Sequence, residues 1–541
     1  MSMMSISSKL LSTVSMVMSV LPRLLLAGAV LLAVSFAPAQ TQEPNPDHLE
    51  AVREFQRQFK KFKEESQQVE AVLTLRGKEC VPAVEELLRL LKHPVPAVQQ
   101  TALTVLSEYK EPATFQPWID ALPKTDDAER AALIKVFGAA KLVAARPAVE
   151  KVAQDPKASP TVKFESMRAF ATIGDASVAP IVAPMLGDKE ALVRMAAADC
   201  VGKLKLTAIG EKLVPLLTDA EWQVQTSAVA ALGIVRPQSA VQPLIDLMRK
   251  TGRLRTECAE ALFRITGFEF GLEPDRWQEQ WNKLMSIEGW RIPTDEELQK
   301  KAESRKKYNE LYGHHEGVTT FAGIPTTSTH VLFIIDVSGS MDDLVVEKEK
   351  FQGYDNLKKF TVVRAQLLSA LDSLTQDTYF DIVAFASDLH PWKGKLVQAN
   401  IVNREAAKGW ANRLKPIGGT EDQELAQAGL TGLTDLSGGK TNTLKALLYP
   451  FGIDADNPPK GPFTGVDRAA IKNKLDTVYF LSDGRPSIGR MIDTLEISKE
   501  VKRWNEVFKI VIHTIAIGEF QKEFLKDLAQ QNGGVFIDLG R

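Results

Sequence analysis

Three cysteines in 541 residues are too few to staple a fold. Cys80, Cys200 and Cys258 are odd in number, far apart and outside any CxxC spacing, which excludes a disulfide framework and a cysteine zinc site. Buried surface must supply the stability instead. Charge of one sign is also missing, because 66 Lys and Arg meet 68 Asp and Glu for a formal net charge of -2. Phosphate recognition calls for a clearly basic domain or stripe, so no nucleic-acid partner is expected. Beyond the first forty residues there is no apolar run near the roughly 20 residues that span a bilayer.

What is present begins with an address. Lys9 and Arg23 are the only charges before the apolar run Leu24 to Phe36, which ends in Ala37-Pro38-Ala39 and Gln40. A basic start, a short apolar core and a small-x-small site read as a signal peptide over residues 1–39. The mature chain is then secreted or periplasmic. Met16 to Leu21 lengthens the apolar stretch, so an uncleaved anchor is the alternative and the only route to membrane contact. No Cys follows the run to carry a lipid.

Self-similarity organises the next part. A small residue followed four places later by a large apolar one recurs as Ala102/Leu106, Ala132/Val136, Ser166/Phe170, Ala197/Val201, Ala228/Leu232 and Cys258/Leu262. Four positions before each small residue stand Val98, Ala128, Val162, Val193, Val224 and Leu254. One helix face is thus written six times, and each helical hairpin must stack on its neighbours to bury it. Leu186-Gly187-Asp188 and Leu217-Thr218-Asp219 are expected to close first helices, with Gly187 and the two Asp residues as turn and N-cap chemistry. This pattern resembles HEAT-like repeats over residues 77–270. The phenylalanines of Glu54 to Phe62 have helical spacing, which predicts a capping helix region over 40–76. Trp277, Trp281 and Trp290 are expected to pack helices of a linking region, 271–317. His314 and His315, adjacent in that linker, do not share a helix face and predict no metal pair.

The second half changes period. Val331 to Ile335 is a continuous apolar run, the mark of a strand buried on both faces of a parallel sheet, and it leads into Asp336-Val337-Ser338-Gly339-Ser340-Met341. A strand that delivers an Asp and two alternating hydroxyls places oxygen ligands at the C-terminal edge, where open α/β sheets bind ligands. Further strands are predicted at Tyr379 to Ala386, Thr477 to Leu481, Val511 to Ile517 and Val535 to Leu539, with helices at Leu357 to Leu374 and Phe520 to Gln531.

The Asp336 segment matches the DxSxS motif of von Willebrand factor A (VWA) domains, and residues 318–541 resemble that family. The expected fold is therefore multidomain: an α-helical HEAT-like solenoid followed by an α/β doubly wound, Rossmann-like VWA domain. Phe480-Leu481-Ser482-Asp483-Gly484 resembles the family's later aspartate segment, which assigns Asp483. The family's threonine follows a glycine pair, and both Gly418-Gly419-Thr420 and Gly438-Gly439-Lys440-Thr441-Asn442 resemble that element. Thr441 is preferred to Thr420, because Ala446-Leu447 follows it at the family's spacing, and an insertion of about twenty residues then separates a glycine pair from its threonine.

The resemblance implies a metal-ion-dependent adhesion site. Ser338, Ser340 and Thr441 would touch the metal, while Asp336 and Asp483 would hold its waters or bind it directly. Mg2+ is the expected cofactor, with Mn2+ or Ca2+ as alternatives, because hydroxyls and carboxylates suit hard cations. An open position would accept a Glu or Asp from a protein partner. Asp342 and Asp343 follow the motif at a spacing that fits solvated acids or a helix start better than a neighbouring cation site. The segments Asp342 to Asn356 and Glu421 to Lys440 leave from the same edge and are expected to carry partner specificity. Arg541 directly follows the last predicted strand, so switching through the family's final helix is not expected. No His or Cys motif surrounds the site and no general base is spaced for it, so the expectation is a binding module and not an enzyme. The other readings are a metal-independent scaffold and, behind it, a metal-dependent hydrolase.

Overall fold

The computed structural model describes residues 45–250, 252–312, 319–321, 323–346, 348–354, 356–428, 438–459, 473–483, 485–518 and 522–539. The segment expected as a signal peptide, His314, His315, Gly484 and residues 429–437 of the second insertion lie outside them.

Six helical hairpins follow one another as the repeats predict. Their second helices are Pro96–Glu108, Asp127–Ala139, Pro160–Ile173, Ala191–Lys203, Trp222–Val235 and Leu254–Thr266. Val98, Val162, Val193 and Val224 are completely buried, as are the small residues Ala102, Ser166, Ala197, Ala228 and Cys258. Small side chains there let backbones approach. A Cβ on Gly202 would sit 3.1 Å from Ala231 Cα on the next repeat. Before the hairpins, helix Pro46–Gln58 buries Phe55, with Phe59 just beyond it, and after them helix Pro274–Met285 buries Trp277 and Trp281. Trp281 meets Trp290 edge-on at 5.6 Å.

Three details differ from the expectation. In the second hairpin Ala128 is exposed and Ala132 only half-buried, while Ala131 and Ile134 fill the core. Asp126 caps that helix from the Glu129 amide, and Arg130 folds back onto the carbonyls of Leu122 and Thr125, which turns the apolar face. Asp188 and Asp219 are not N-caps, because the cap positions are Glu190 and Glu221 and Gly187 takes no left-handed conformation. Each Asp instead accepts the amide two residues on, at 2.9 and 3.0 Å, and a cation from the preceding repeat, Lys163 or Arg194, both at 2.7 Å. Finally, Thr207–Thr218 is a 3-10 helix. Pro215 within it supplies no amide to an α-helical ladder.

The second unit is a seven-stranded sheet. Its strands are β3 (His330–Asp336), β4 (Tyr379–Phe385), β5 (Leu389–Pro391), β6 (Val397–Gln398), β7 (Thr477–Ser482), β8 (Val511–Ala516) and β9 (Phe536–Asp538); β1 (Thr319–Phe321) and β2 (Ile324–Thr326) form a separate antiparallel pair. The order is β5-β4-β3-β7-β8-β9 with β6 also on β4, and β4, β3, β7, β8 and β9 run parallel. The chain leaves β3 for β4 on one side and returns to β7 on the other, so β3 lies at the topological switch point. Residues of β3 alternate between two cores: Val331, Phe333 and Ile335 pack with helices Lys359–Ser373 and Ile401–Arg413, and Leu332 and Ile334 with Thr443–Leu448 and Thr494–Phe508. The protein is thus a helical solenoid followed by a doubly wound α/β unit. His330 is the first residue of β3 and stacks on Tyr379.

The two units meet at the edge where the strands begin. Trp222 Nε1 and Gln223 Nε2 donate to the carbonyl of Asn473, Lys509 pairs with Asp199 at 2.7 Å, and Arg168 pairs with Glu506. Among the described residues no helix is long and apolar enough to cross a membrane.

Candidate metal centre

β3 ends at Asp336, whose register partner is Phe385, and Ile335 is level with Leu481, so the segments after β3, β4 and β7 emerge side by side. Asp336 is wholly buried. Its Oδ1 accepts the Ser338 amide at 2.8 Å and its Oδ2 accepts the Ser482 hydroxyl at 2.5 Å. Burial first, and the neighbouring Asp483 second, push the Asp336 carboxyl well above its ordinary range.

The hydroxyls continue this arrangement. Ser338 Oγ lies 3.3 Å from Ser340 Oγ, and Ser340 Oγ donates to Asp483 Oδ1 at 2.9 Å. Asp483 is itself buried, one residue past β7. Four of the five residues singled out by sequence therefore share one site, although 143 positions separate Ser340 from Asp483.

Thr441 is buried in the third segment of the same edge. Its amide donates to Ser487 Oγ at 2.9 Å, and the next amide, of Asn442, donates to the carbonyl of Ala386 just past β4. Asn442 then caps helix Thr443–Leu448. The two glycine pairs sit together. Gly339 N donates to Gly439 O at 3.0 Å, and a Cβ on Gly339 would meet Gly418 O at 2.7 Å. A Cβ on Gly439 would meet Ile417 O at 2.4 Å, so only glycine allows these loops to close. Thr420 stands apart, starting helix Thr420–Gln427 with its amide on Asp342 Oδ2 at 2.9 Å.

Two features escaped the sequence reading. Ser482 orients Asp336, and its only signal was its place before Asp483. More consequential is Lys359, buried at the start of its helix, whose Nζ donates to Asp483 Oδ2 at 2.5 Å and to the carbonyl of Ser340 at 3.3 Å. Asp342 is occupied by Lys358 at 2.7 Å, and Asp343 faces Lys359 at 3.6 Å. Burial would raise the Asp342 carboxyl, but Lys358 and then the Thr420 hydroxyl and amide hold it below its ordinary value.

The donor set is two carboxylates and a row of hydroxyls with no sulfur or imidazole, which fits a hard divalent cation. Among the described residues no three His, Cys, Asp or Glu side chains gather as a metal cluster, so hydroxyls must complete any such site. Asp336 and Asp483 together carry more negative charge than the single Lys359 offsets. A divalent ion would relieve it.

Residues 115–202 and 184–263 match the HEAT repeats family. The chain is also similar to inter-alpha-trypsin inhibitor heavy chains. Heavy chain H1 of Sus scrofa is 28% identical over 173 residues, covering 32% of this chain and 14% of that protein. Heavy chain H2 of Homo sapiens is 24% identical over 242 residues, covering 44% and 21%, and heavy chain 4 of Mus musculus 33% over 97 residues, covering 18% and 9%. The chain spans 21% or less of the length of these relatives. Among solved structures, the conserved hypothetical protein BatB of Bacteroides thetaiotaomicron shares 12% identity with a TM-score of 0.24, over 39% of this chain and 90% of that one. The CpcE and CpcF complex of phycocyanin lyase from Nostoc sp. PCC7120 shares 18% with a TM-score of 0.25, over 47% and 99%.

Proposed function

We propose that this chain is an exported, non-catalytic binding protein whose VWA-like unit grips a partner's Glu or Asp carboxylate through a divalent cation. The observation that carries the reading is the run of oxygens from Ser338 through Ser340 to Asp483 beside buried Asp336, at the finishing edge of β3. Ser338, Ser340 and Thr441 would offer hydroxyls to the ion, and Asp336 and Asp483 would hold its waters or bind it directly. The ion, Mg2+ or else Mn2+ or Ca2+, supplies an electrophilic position for an incoming carboxylate. Gly339, Gly418 and Gly439 bring the loops close enough to leave that position at the surface. Similarity to heavy chains of a trypsin inhibitor supports a protein-binding role.

The repeats offer a second protein surface. A cavity of about 1090 Å³ lies between the N-terminal hairpins and the α/β unit, lined by Leu88, Trp118, Asp127, Pro458 and Arg503 among others. Export follows from the N-terminal address, by cleavage or as an anchored form.

A metal-independent scaffold is the second reading, favoured by the Lys359 ammonium on Asp483. Capture of exported proteins by the full mature chain, with Mg2+ or with chelator, separates the two. Capture that needs Mg2+ and is lost in Asp336→Asn supports the adhesion site; equal capture in chelator sinks it.

A further inference from the structure

We infer that Lys359 is a resident cation that competes with the metal for Asp483 and sets how tightly the site binds it. This rests on the metal reading above and concerns one residue of the chain that the reading leaves unused. A lysine at a helix start would normally extend into water, yet Lys359 is 6% exposed. Its ammonium reaches Asp483 Oδ2 at 2.5 Å, while Oδ1 of the same carboxylate accepts the Ser340 hydroxyl.

The surroundings hold it there. Lys359 N donates to the carbonyl of Asp343 at 2.9 Å, and Val345 N to that of Leu357 at 2.7 Å, so the insertion after the DxSxS segment is closed at its neck. Gly518, with φ +126°, comes over the lysine stem, where an added Cβ would meet Lys359 Cε at 3.6 Å. The added atom would be in ordinary contact with the stem, and the positive φ is what favours glycine there. Without metal, the ammonium compensates Asp483 and lets two buried carboxylates stand beside each other. A cation held by the same residues would repel the ammonium as a like charge and compete with it for Asp483. Lys359 thereby trades metal affinity for stability of the metal-free protein.

Calorimetric titration of the mature chain with Mg2+ and Mn2+ alone, together with thermal unfolding with and without metal, tests this. Lys359→Met should bind metal at least about tenfold more tightly than wild type, because one nearby like charge is gone. Its metal-free melting temperature should fall, and added metal should restore it. General damage to the site would move affinity in the opposite direction. Lys359→Gln keeps a donor for Asp483 and should show the same sign if the Met variant does not fold. Lys358→Met, whose partner is Asp342, should change affinity less than about twofold. Wild-type binding with unchanged or weaker binding in both Lys359 variants overturns the resident-cation role alone. No binding by wild type or either variant overturns the metal reading and this inference together.

Discussion

Arg253 Nη1 donates to the carbonyl oxygen of Asp476 at 2.9 Å, tying the start of the sixth hairpin's second helix to the residue before β7. The same guanidinium reaches the carbonyl of Lys509 and Thr226 Oγ1, pairs with Glu257 at 2.8 Å and lies 4.9 Å over the Trp222 ring. A buried arginine engaged through both Nη atoms leaves several polar groups stranded when removed. Arg253→Met should cost on the order of 3–5 kcal/mol and uncouple the two units. Differential scanning calorimetry would show one transition becoming two; an unchanged single transition would contradict the role.

Two buried groups beside that contact titrate in opposite senses. Burial first, then Arg253, lowers the His513 pKa from 6.5 to about 4, and Nδ1 is meanwhile an acceptor for the Val535 amide at 3.0 Å. Burial raises Asp476 from 3.8 to about 6, against the pull of Arg253. Between pH 4 and 6 the unfolded chain holds a proton on His513 that the folded chain lacks, and the folded chain holds one on Asp476 that the unfolded chain lacks. The two slopes cancel. In Asp476→Asn only the histidine slope remains, so stability should fall as pH drops from 6.5 towards 4, by on the order of 3 kcal/mol relative to wild type. Urea midpoints at pH 4, 5, 6 and 7 measure this, and parallel curves for the two proteins would refute it.

The threonine assignment separates cleanly. Thr441→Val should weaken Mg2+ binding by about tenfold or more, the loss of one buried donor to a charged centre. Thr420→Ala should change it less than about twofold, since Thr420 is turned onto Asp342, which its amide still reaches after the hydroxyl is lost. The reverse ranking would move the metal threonine to Thr420.

Thiol chemistry reports on folding alone. Cys80, Cys200 and Cys258 are free and buried, and desolvation pushes the Cys200 thiol up to about 12. Labelling should therefore be slow in the native state and complete in urea; fast native labelling of any one would place it in an exposed pocket.

Much of the fold was legible because burial on both faces writes strands as unbroken apolar runs. β3 was found for that reason, and β4, β7 and β8, mostly apolar but interrupted by Asp381, His513 and Thr514, also stand within a residue or two of the predicted segments. Repeat periodicity located the hairpins equally well, except where Arg130 turned one face. Asp188 and Asp219 were misjudged because an Asp before a helix serves a cap or a two-residue turn with the same side chain. Of the site, residues inside motifs could be found and residues outside them could not. Lys359 looks like one surface lysine of many, and its partner lies 124 positions away. Trp222 and Arg253 obey the repeat pattern while their contacts come from more than 220 positions further on.

The solenoid holds the sheet where its strands start, and the oxygen-rich loops open where they finish. Tension from anything seated at Asp336 would run lengthwise along β3, whose ladders to β4 and β7 would then bear the load in shear, many bonds at once. Force would leave the sheet at Asp476 and Lys509 and enter the helices through Arg253. A molecule wired in this way resists pulling far better than one whose strands are peeled apart bond by bond.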